Sequence, residues 1–156
     1  SSPACALAPQ SRMMAAHGSH EGFRMIEQRI DELTRANQAF YDAFESLDIG
    51  RMDKVWAHQE YVTCIHPRRG LRKGWPSVSD SWVLIFNHTF SMKFRLREVF
   101  VQVAGDMGWV ICTENLTTEQ EGNTVESRVL ATNLFERVGE EWVLIHHHGS
   151  PVMGGG

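Results

Sequence analysis

The sequence lacks any apolar run long enough to span a bilayer, which takes about 20 residues. Its two most apolar segments, residues 82–86 and 142–145, are short and are followed by polar side chains. We therefore predict that the chain does not cross a membrane.

Cysteine is scarce, with only Cys5, Cys64 and Cys112 in the chain. Their odd number and wide spacing argue against a disulfide framework, and Cys64 and Cys112 lie in apolar, strand-like runs. We predict buried thiols and a soluble protein in a reducing compartment, either the cytoplasm or an organelle.

An excess of positive charge is also absent, since 15 Lys and Arg stand against 19 Asp and Glu, the formal net charge is −4 and the pI is about 6.0. A nucleic-acid or anionic-membrane partner would require a basic stripe, and the one basic cluster is Arg68, Arg69, Arg72 and Lys73. We expect neither nucleic acid nor membrane as a partner.

The chain has 156 residues, and 42% of them are hydrophobic, which is enough to form the core of one domain. Residues 1–22 are rich in Ser, Ala and Met, which is typical both of a disordered tail and of a transit peptide. We place the domain at residues 23–152, followed by a glycine tail at 153–156.

Hydrophobic periodicity predicts three helices before the main sheet. Apolar residues three and four apart between Arg24 and Leu47 form one helical stripe, broken only by Asn37. A short helix around residues 52–56 follows, then a strand at 61–66, a loop at 68–74 and a third helix from Pro76 to Asn87.

The second half of the chain alternates with period two, which predicts four long strands joined by turns. Met92, Phe94 and Leu96 occupy even positions, whereas Val99 and Val101 occupy odd ones. A continuous strand accommodates that change only by a bulge near Arg97 or Glu98, so we predict a sharply curved antiparallel sheet in an α+β fold.

Five segments together resemble SnoaL-like proteins of the nuclear transport factor 2-like superfamily: CIHP, LRKGW, SW with IF, ATNLF and WVLIHHHGSP, at residues 64–67, 71–75, 81–86, 131–135 and 142–151. The resemblance implies a cone-shaped curved sheet around a small-molecule pocket. The closing segment also resembles the hub, or association, domain of calcium/calmodulin-dependent kinase. That likeness implies an oligomer, with His147 pointing inward towards a pocket that includes Glu114, Asn133 and Gly149.

Two residues are candidates for acid–base chemistry. Glu114 follows an apolar run, so it is either a buried carboxyl with a raised pKa or a residue at the point where the strand emerges into solvent. His66 ends the first predicted strand, where it either titrates at a pocket mouth or bonds to the backbone.

Several other residues are candidates for binding a ligand. Asn133 interrupts an apolar strand, so its amide either orients a ligand or satisfies a bulged backbone. Trp82 and Trp109 are either pocket walls or ordinary core.

The run from His146 to His148 does not predict a metal site, because consecutive side chains on a strand point to opposite faces. Alternation along the strand groups His146 and His148 with Trp142 and Leu144. Pairing with a neighbouring strand or a subunit interface is expected instead, and His146 is kept as a ligand-binding candidate.

Two functions fit these residues. The first is a small-molecule-binding module that forms a homodimer or larger homo-oligomer and has no clear catalytic signature. The second is an isomerase, cyclase or hydrolase that needs no cofactor and uses Glu114 with His66 or His147 on a small, partly apolar substrate. We predict neither a metal nor a cofactor.

Overall fold

The structure is a computed structural model that describes residues 11–154, with side chains from residue 19 onwards. Its elements follow in the order α1 (Ser11–Ser46), α2 (Ile49–Val55), β1 (Thr63–Ile65), β2 (Leu71–Lys73), α3 (Trp75–Asn87), β3 (Ser91–Ala104), β4 (Met107–Gln120), β5 (Asn123–Val138) and β6 (Glu141–Pro151). None of the helices in this part of the chain is both long and apolar enough to cross a membrane.

The six strands form one open, curved sheet in the order β2-β1-β6-β5-β4-β3. The predicted α+β fold with three helices and a four-stranded meander is therefore confirmed. One pair differs from the predicted antiparallel sheet, because β1 lies parallel to β6. A parallel pair needs a long connection, and here the rest of the chain between the two strands supplies it.

The predicted bulge in β3 is confirmed. Pairing with β4 shifts between Arg97 and Phe100, and Glu98 adopts a positive φ of 52° at that point. Leu96 and Val101 consequently face the same side of the sheet although their positions differ in parity.

Two predicted boundaries need correction. Helix α1 begins at Ser11 and not near Arg24, because the intervening Ala and Met residues favour a helix even where residues 19–28 are exposed. Residues 1–10 of the predicted tail, including Cys5, lie outside the described residues. The predicted loop at 68–74 contains strand β2, which pairs with β1 at the sheet edge.

The core lies between α1, α3 and the concave face of the sheet. Trp82 of α3 is fully buried, with its ring 5.8 Å from that of Phe40 and 4.7 Å from that of Phe44, both in α1. The thiols of Cys64 and Cys112 are buried and free, as predicted for those two cysteines.

Gly108 lets α1 approach β4. A Cβ atom at this position would lie 2.5 Å from Leu33 Cδ2 and 3.4 Å from the Gln102 carbonyl oxygen. Leu33 is fully buried and has no room to move aside.

We therefore expect Gly108→Ala to lower the free energy of unfolding by about 1–3 kcal/mol, because it overpacks the contact between helix and sheet. Urea denaturation measures this loss. Gly70→Ala is the matched control, since nothing lies within 4 Å of a Cβ atom there. Equal stability of the two variants would contradict this account of the α1–β4 contact.

Candidate functional site

Five buried polar side chains meet on the concave face of the sheet, and we call them the interior polar row. Three of them lie on the sheet: Glu114 on β4, Asn133 on β5 and His147 on β6. The other two, Asn37 and Tyr41, lie on α1. Each is at most 3% exposed. The two helical residues are four positions apart and so share one face of α1.

Hydrogen bonds join all five residues. Tyr41 Oη donates to Glu114 Oε2 at 2.5 Å. The Asn133 amide nitrogen donates to Tyr41 Oη at 3.1 Å and to Asn37 Oδ1 at 2.9 Å. The Asn133 oxygen lies 2.5 Å from His147 Nδ1, and every hydrogen-bonding group of the Asn133 amide is thus engaged.

These bonds fix the proton on His147. An amide oxygen only accepts, so His147 Nδ1 must carry the hydrogen and Nε2 the lone pair of a neutral ring. Burial, reinforced by His66 and other nearby histidines, lowers the pKa of His147 well below its ordinary value.

Glu114 has the opposite shift. Burial raises its pKa to about 7, although the hydrogen bond from Tyr41 acts in the other direction. Burial and the neighbouring Glu114 also raise the pKa of Tyr41, which keeps the phenol protonated and donating. The second oxygen of Glu114 forms no hydrogen bond with any described residue.

His66 lies beside the row but is not bonded to it. Its ring centroid is 6.4 Å from that of His147, and its Nε2 is 2.9 Å from Ser81 Oγ. Ser81 already donates to the Val78 carbonyl, so His66 Nε2–H donates to Ser81. Burial, with Arg69 and Arg72 nearby, lowers the pKa of His66 to about 4.

Trp82 is buried against both histidines, with ring centroids 4.7 Å from His66 and 5.9 Å from His147. Its indole N–H is buried and has no partner among the described residues. Trp82 thus packs as core and also retains a hydrogen-bond donor inside the cone.

Trp109 and His146, which were predicted to bind a ligand, do not join this group. Trp109 alternates with the inward-facing Gly108 and Val110, so it lies on the outer face of the sheet. His146 is on that face too, where its Nδ1 is 2.7 Å from Thr63 Oγ1.

A bulge explains why alternation misplaced the histidines of β6. Leu134 pairs with His146 but Phe135 pairs with Leu144, so Ile145 is unpaired. The bulge reverses the alternation beyond Ile145 and turns His147 inward on the face of Leu144. The grouping of His146 with Leu144 was therefore wrong.

Sequence reasoning missed Tyr41 and the role of Asn37. Asn37 was visible as the polar break in the apolar stripe of α1, and this break was the available signal. The sequence gives no such signal for Tyr41, because a tyrosine beside Phe40 is compatible with ordinary packing.

Cavities of about 350–390 Å³ open among the described residues, and four of them have none of Glu114, Asn133 and His147 in their lining. His66 and Ser81 line one of them together with Arg69 and Arg72. Within the part of the chain that the structure describes, no group of three or more His, Cys, Asp or Glu residues is placed to hold a metal ion.

Comparison with known proteins gives one family match, to the SnoaL-like domain, over residues 33–154. The F-box protein SKIP8 of Arabidopsis thaliana is 30% identical over 117 residues, which are 75% of this chain and 48% of that protein. The chain thus spans about half the length of this curated relative.

Two solved structures are similar in both sequence and fold. A candidate dehydratase of the nuclear transport factor 2-like family from Streptomyces avermitilis is 32% identical, with a TM-score of 0.77 and coverage of 83% of this chain and 99% of that one. A candidate calcium/calmodulin-dependent protein kinase type II association domain from Thiobacillus denitrificans is 30% identical, with a TM-score of 0.69 and coverage of 76% and 93%.

The raised pKa of Glu114 predicts a specific pH dependence of stability. The folded state holds this proton up to pH about 7, whereas the unfolded state releases it near 4.5. The contribution of Glu114 is therefore full below that range and is lost as the pH rises through it. We expect wild type to lose about 2–3 kcal/mol of unfolding free energy relative to Glu114→Gln between those limits.

Urea denaturation of both proteins across this pH range measures the difference. His66 and His147 titrate in both proteins, so their effects largely cancel in the subtraction. Glu119→Gln changes an exposed carboxyl on the same strand and is the control. A wild-type curve parallel to that of Glu114→Gln would show that the carboxyl is not perturbed.

Proposed function

The chain belongs to the SnoaL-like domain family, and from this premise we propose that it is a small-molecule-binding domain that self-associates. The observation that carries the proposal is the interior polar row. A buried polar group costs free energy unless it is paired, and in this interior the second oxygen of Glu114 and the indole N–H of Trp82 have no partner among the described residues.

Two polar groups in this interior remain available to a ligand. The free oxygen of Glu114 would accept from a hydroxyl, and the unpartnered indole N–H of Trp82 would donate to a carbonyl or ether oxygen. The surrounding rings of Phe40, Phe44 and Phe94 favour a partly apolar organic molecule. These side chains fill the interior, so ligand entry would require them to move.

Acid–base catalysis is the second candidate, and it is favoured by Glu114. A carboxyl with a pKa near 7 exchanges its proton readily at neutral pH, and Tyr41 holds it in one orientation. His147 or His66, both neutral, would act as the partner base. Similarity to a candidate dehydratase supports this reading, since removal of water from a substrate requires proton transfer.

Self-association is proposed for the outer face of the sheet. Phe100, Trp109, Ile111, Leu130 and Leu134 lie on this face in adjacent strands and form the outer apolar patch. Phe100 is 53% exposed and Leu130 is 48% exposed. A contiguous apolar patch of this kind is typical of a protein interface, and a second copy would cover it.

A crystallographic fragment screen with neutral cyclic ketones and alcohols tests interior binding. We expect a bound fragment within hydrogen-bond distance of Glu114 or Trp82, and about a tenfold loss of its affinity in Glu114→Gln because a carboxylate acceptor is replaced. Glu119→Gln should bind the fragment as wild type does. Fragments found only on the outside of the cone would refute interior binding.

If a fragment is converted, turnover should fall in both Glu114→Gln and His147→Ala. Turnover that persists unchanged in both variants would contradict the acid–base assignment while leaving binding intact.

Light scattering coupled to size-exclusion chromatography tests self-association. We expect at least twice the 17.7 kDa chain mass for wild type and a shift towards one chain mass for Leu130→Glu, which places a charge in the outer apolar patch. Phe90→Glu adds the same charge to an exposed aromatic residue between α3 and β3 and should not change the mass. A wild-type mass of one chain would rule out self-association.

A further inference from the structure

We propose that the cavity between the β1–β2 connection and α3 binds the carboxylate or phosphate group of a small organic molecule. The cavity has a volume of about 360 Å³, and Arg69, Arg72, His66 and Ser81 are among its lining residues. We call it the arginine cavity. This proposal goes beyond the interior binding proposed above, because it adds a second site that takes a charged ligand group.

The β1–β2 connection brings Arg69 back over the end of the strand. Pro67 and Arg68 occupy the central positions of a four-residue turn, closed by a bond of 3.0 Å from the Arg69 N–H to the His66 carbonyl. Arg68 has a positive φ of 63°, which is the geometry of a type II turn with proline in its preferred place.

Strand pairing brings in Arg72. It lies directly opposite Cys64 in the antiparallel pair of β1 and β2. Opposite residues of such a pair project to the same face, and Cys64 is buried on the concave side near His66. Arg69 and Arg72 thus reach the same cavity from two sides.

The two guanidinium groups lack a counter-charge among the described residues. Neither forms an ion pair or a side-chain hydrogen bond with any residue that the structure describes. Both act on the buried His66 and lower its pKa, which supports their closeness to the cavity floor. An oxyanion between the two arginines would supply the missing negative charge. It would also accept two hydrogen bonds from each guanidinium group.

The rest of the lining favours an organic molecule over a bare ion. Leu84 and Ile85 of α3 give the cavity an apolar wall. His66 and Ser81 at the floor are buried, whereas the two arginines are exposed at the rim. The volume suits a ligand of few atoms, with its charged group at the arginines and a short apolar body along α3.

This site is chemically distinct from the interior polar row. The row contains a carboxyl and no cation, so it does not suit an anion, whereas the arginine cavity has two cations and no carboxylate. His66 lies between them, because it lines the cavity and its ring is 6.4 Å from that of His147.

Isothermal titration of the full chain with three probes of matched length tests the proposal. Hexanoate and hexyl phosphate carry the two oxyanions, and hexanol is their neutral counterpart. We expect at least one of the anions to bind saturably and more tightly than hexanol, and the stronger anion identifies the charged group of the ligand class.

Arg69→Gln and Arg72→Gln should each weaken that binding by about tenfold, since one charge-assisted contact is lost. Arg68→Gln is the matched control, because it removes the same charge from the adjacent residue, which does not line the cavity. It should leave the affinity within about twofold of wild type.

Three results would overturn the arginine cavity as an anion site. They are no saturable binding of either anion, equal binding of hexanol, or an equal loss in Arg68→Gln, which would indicate attraction by surface charge alone. Interior binding of neutral fragments that persists in Arg69→Gln would show that the binding function survives even where the anion site fails.

Discussion

The hydrogen bonds of Asn133 are the interaction on which the inside of this protein depends. Its amide binds Asn37 and Tyr41 of α1 on one side and His147 of β6 on the other, and so joins the long helix to the middle of the sheet. Buried polar groups are costly when unpaired, so these bonds favour the position of α1 in which all of them form. The surrounding aromatic side chains pack around that fixed arrangement.

The same bonds set the electrostatics of the interior. Tyr41 accepts a hydrogen bond from Asn133 and donates one to Glu114. His147 donates its Nδ1–H to the Asn133 oxygen and remains neutral. Burial then raises the pKa of Glu114 to about 7 and lowers that of His147, so that near neutral pH His147 is uncharged and Glu114 exchanges between its protonated and ionised forms. The row is thus a set of oriented donors and acceptors within an apolar shell.

Two bulges determine which residues reach each face of the sheet. The one in β3 keeps Leu96 and Val101 on the concave side, and the one at Ile145 turns His147 inward and His146 outward. The outer apolar patch and the interior polar row are thus opposite faces of the same strands. The proposed ligand binding and the proposed self-association would therefore use opposite faces of one sheet.

The sequence by itself determined the α+β order, the amphipathic α1, the positions of all strands except β2 and the bulge in β3, because each of these follows from local periodicity. It also singled out Glu114, Asn133 and His147, since polar residues within apolar strands stand out. Tertiary structure alone decided that Tyr41 completes the row, that Trp109 and His146 face outward, and that Arg69 and Arg72 share a cavity. Those facts depend on strand register and on contacts between residues far apart in the chain, such as Tyr41 and Glu114, and local patterns carry no information about such contacts.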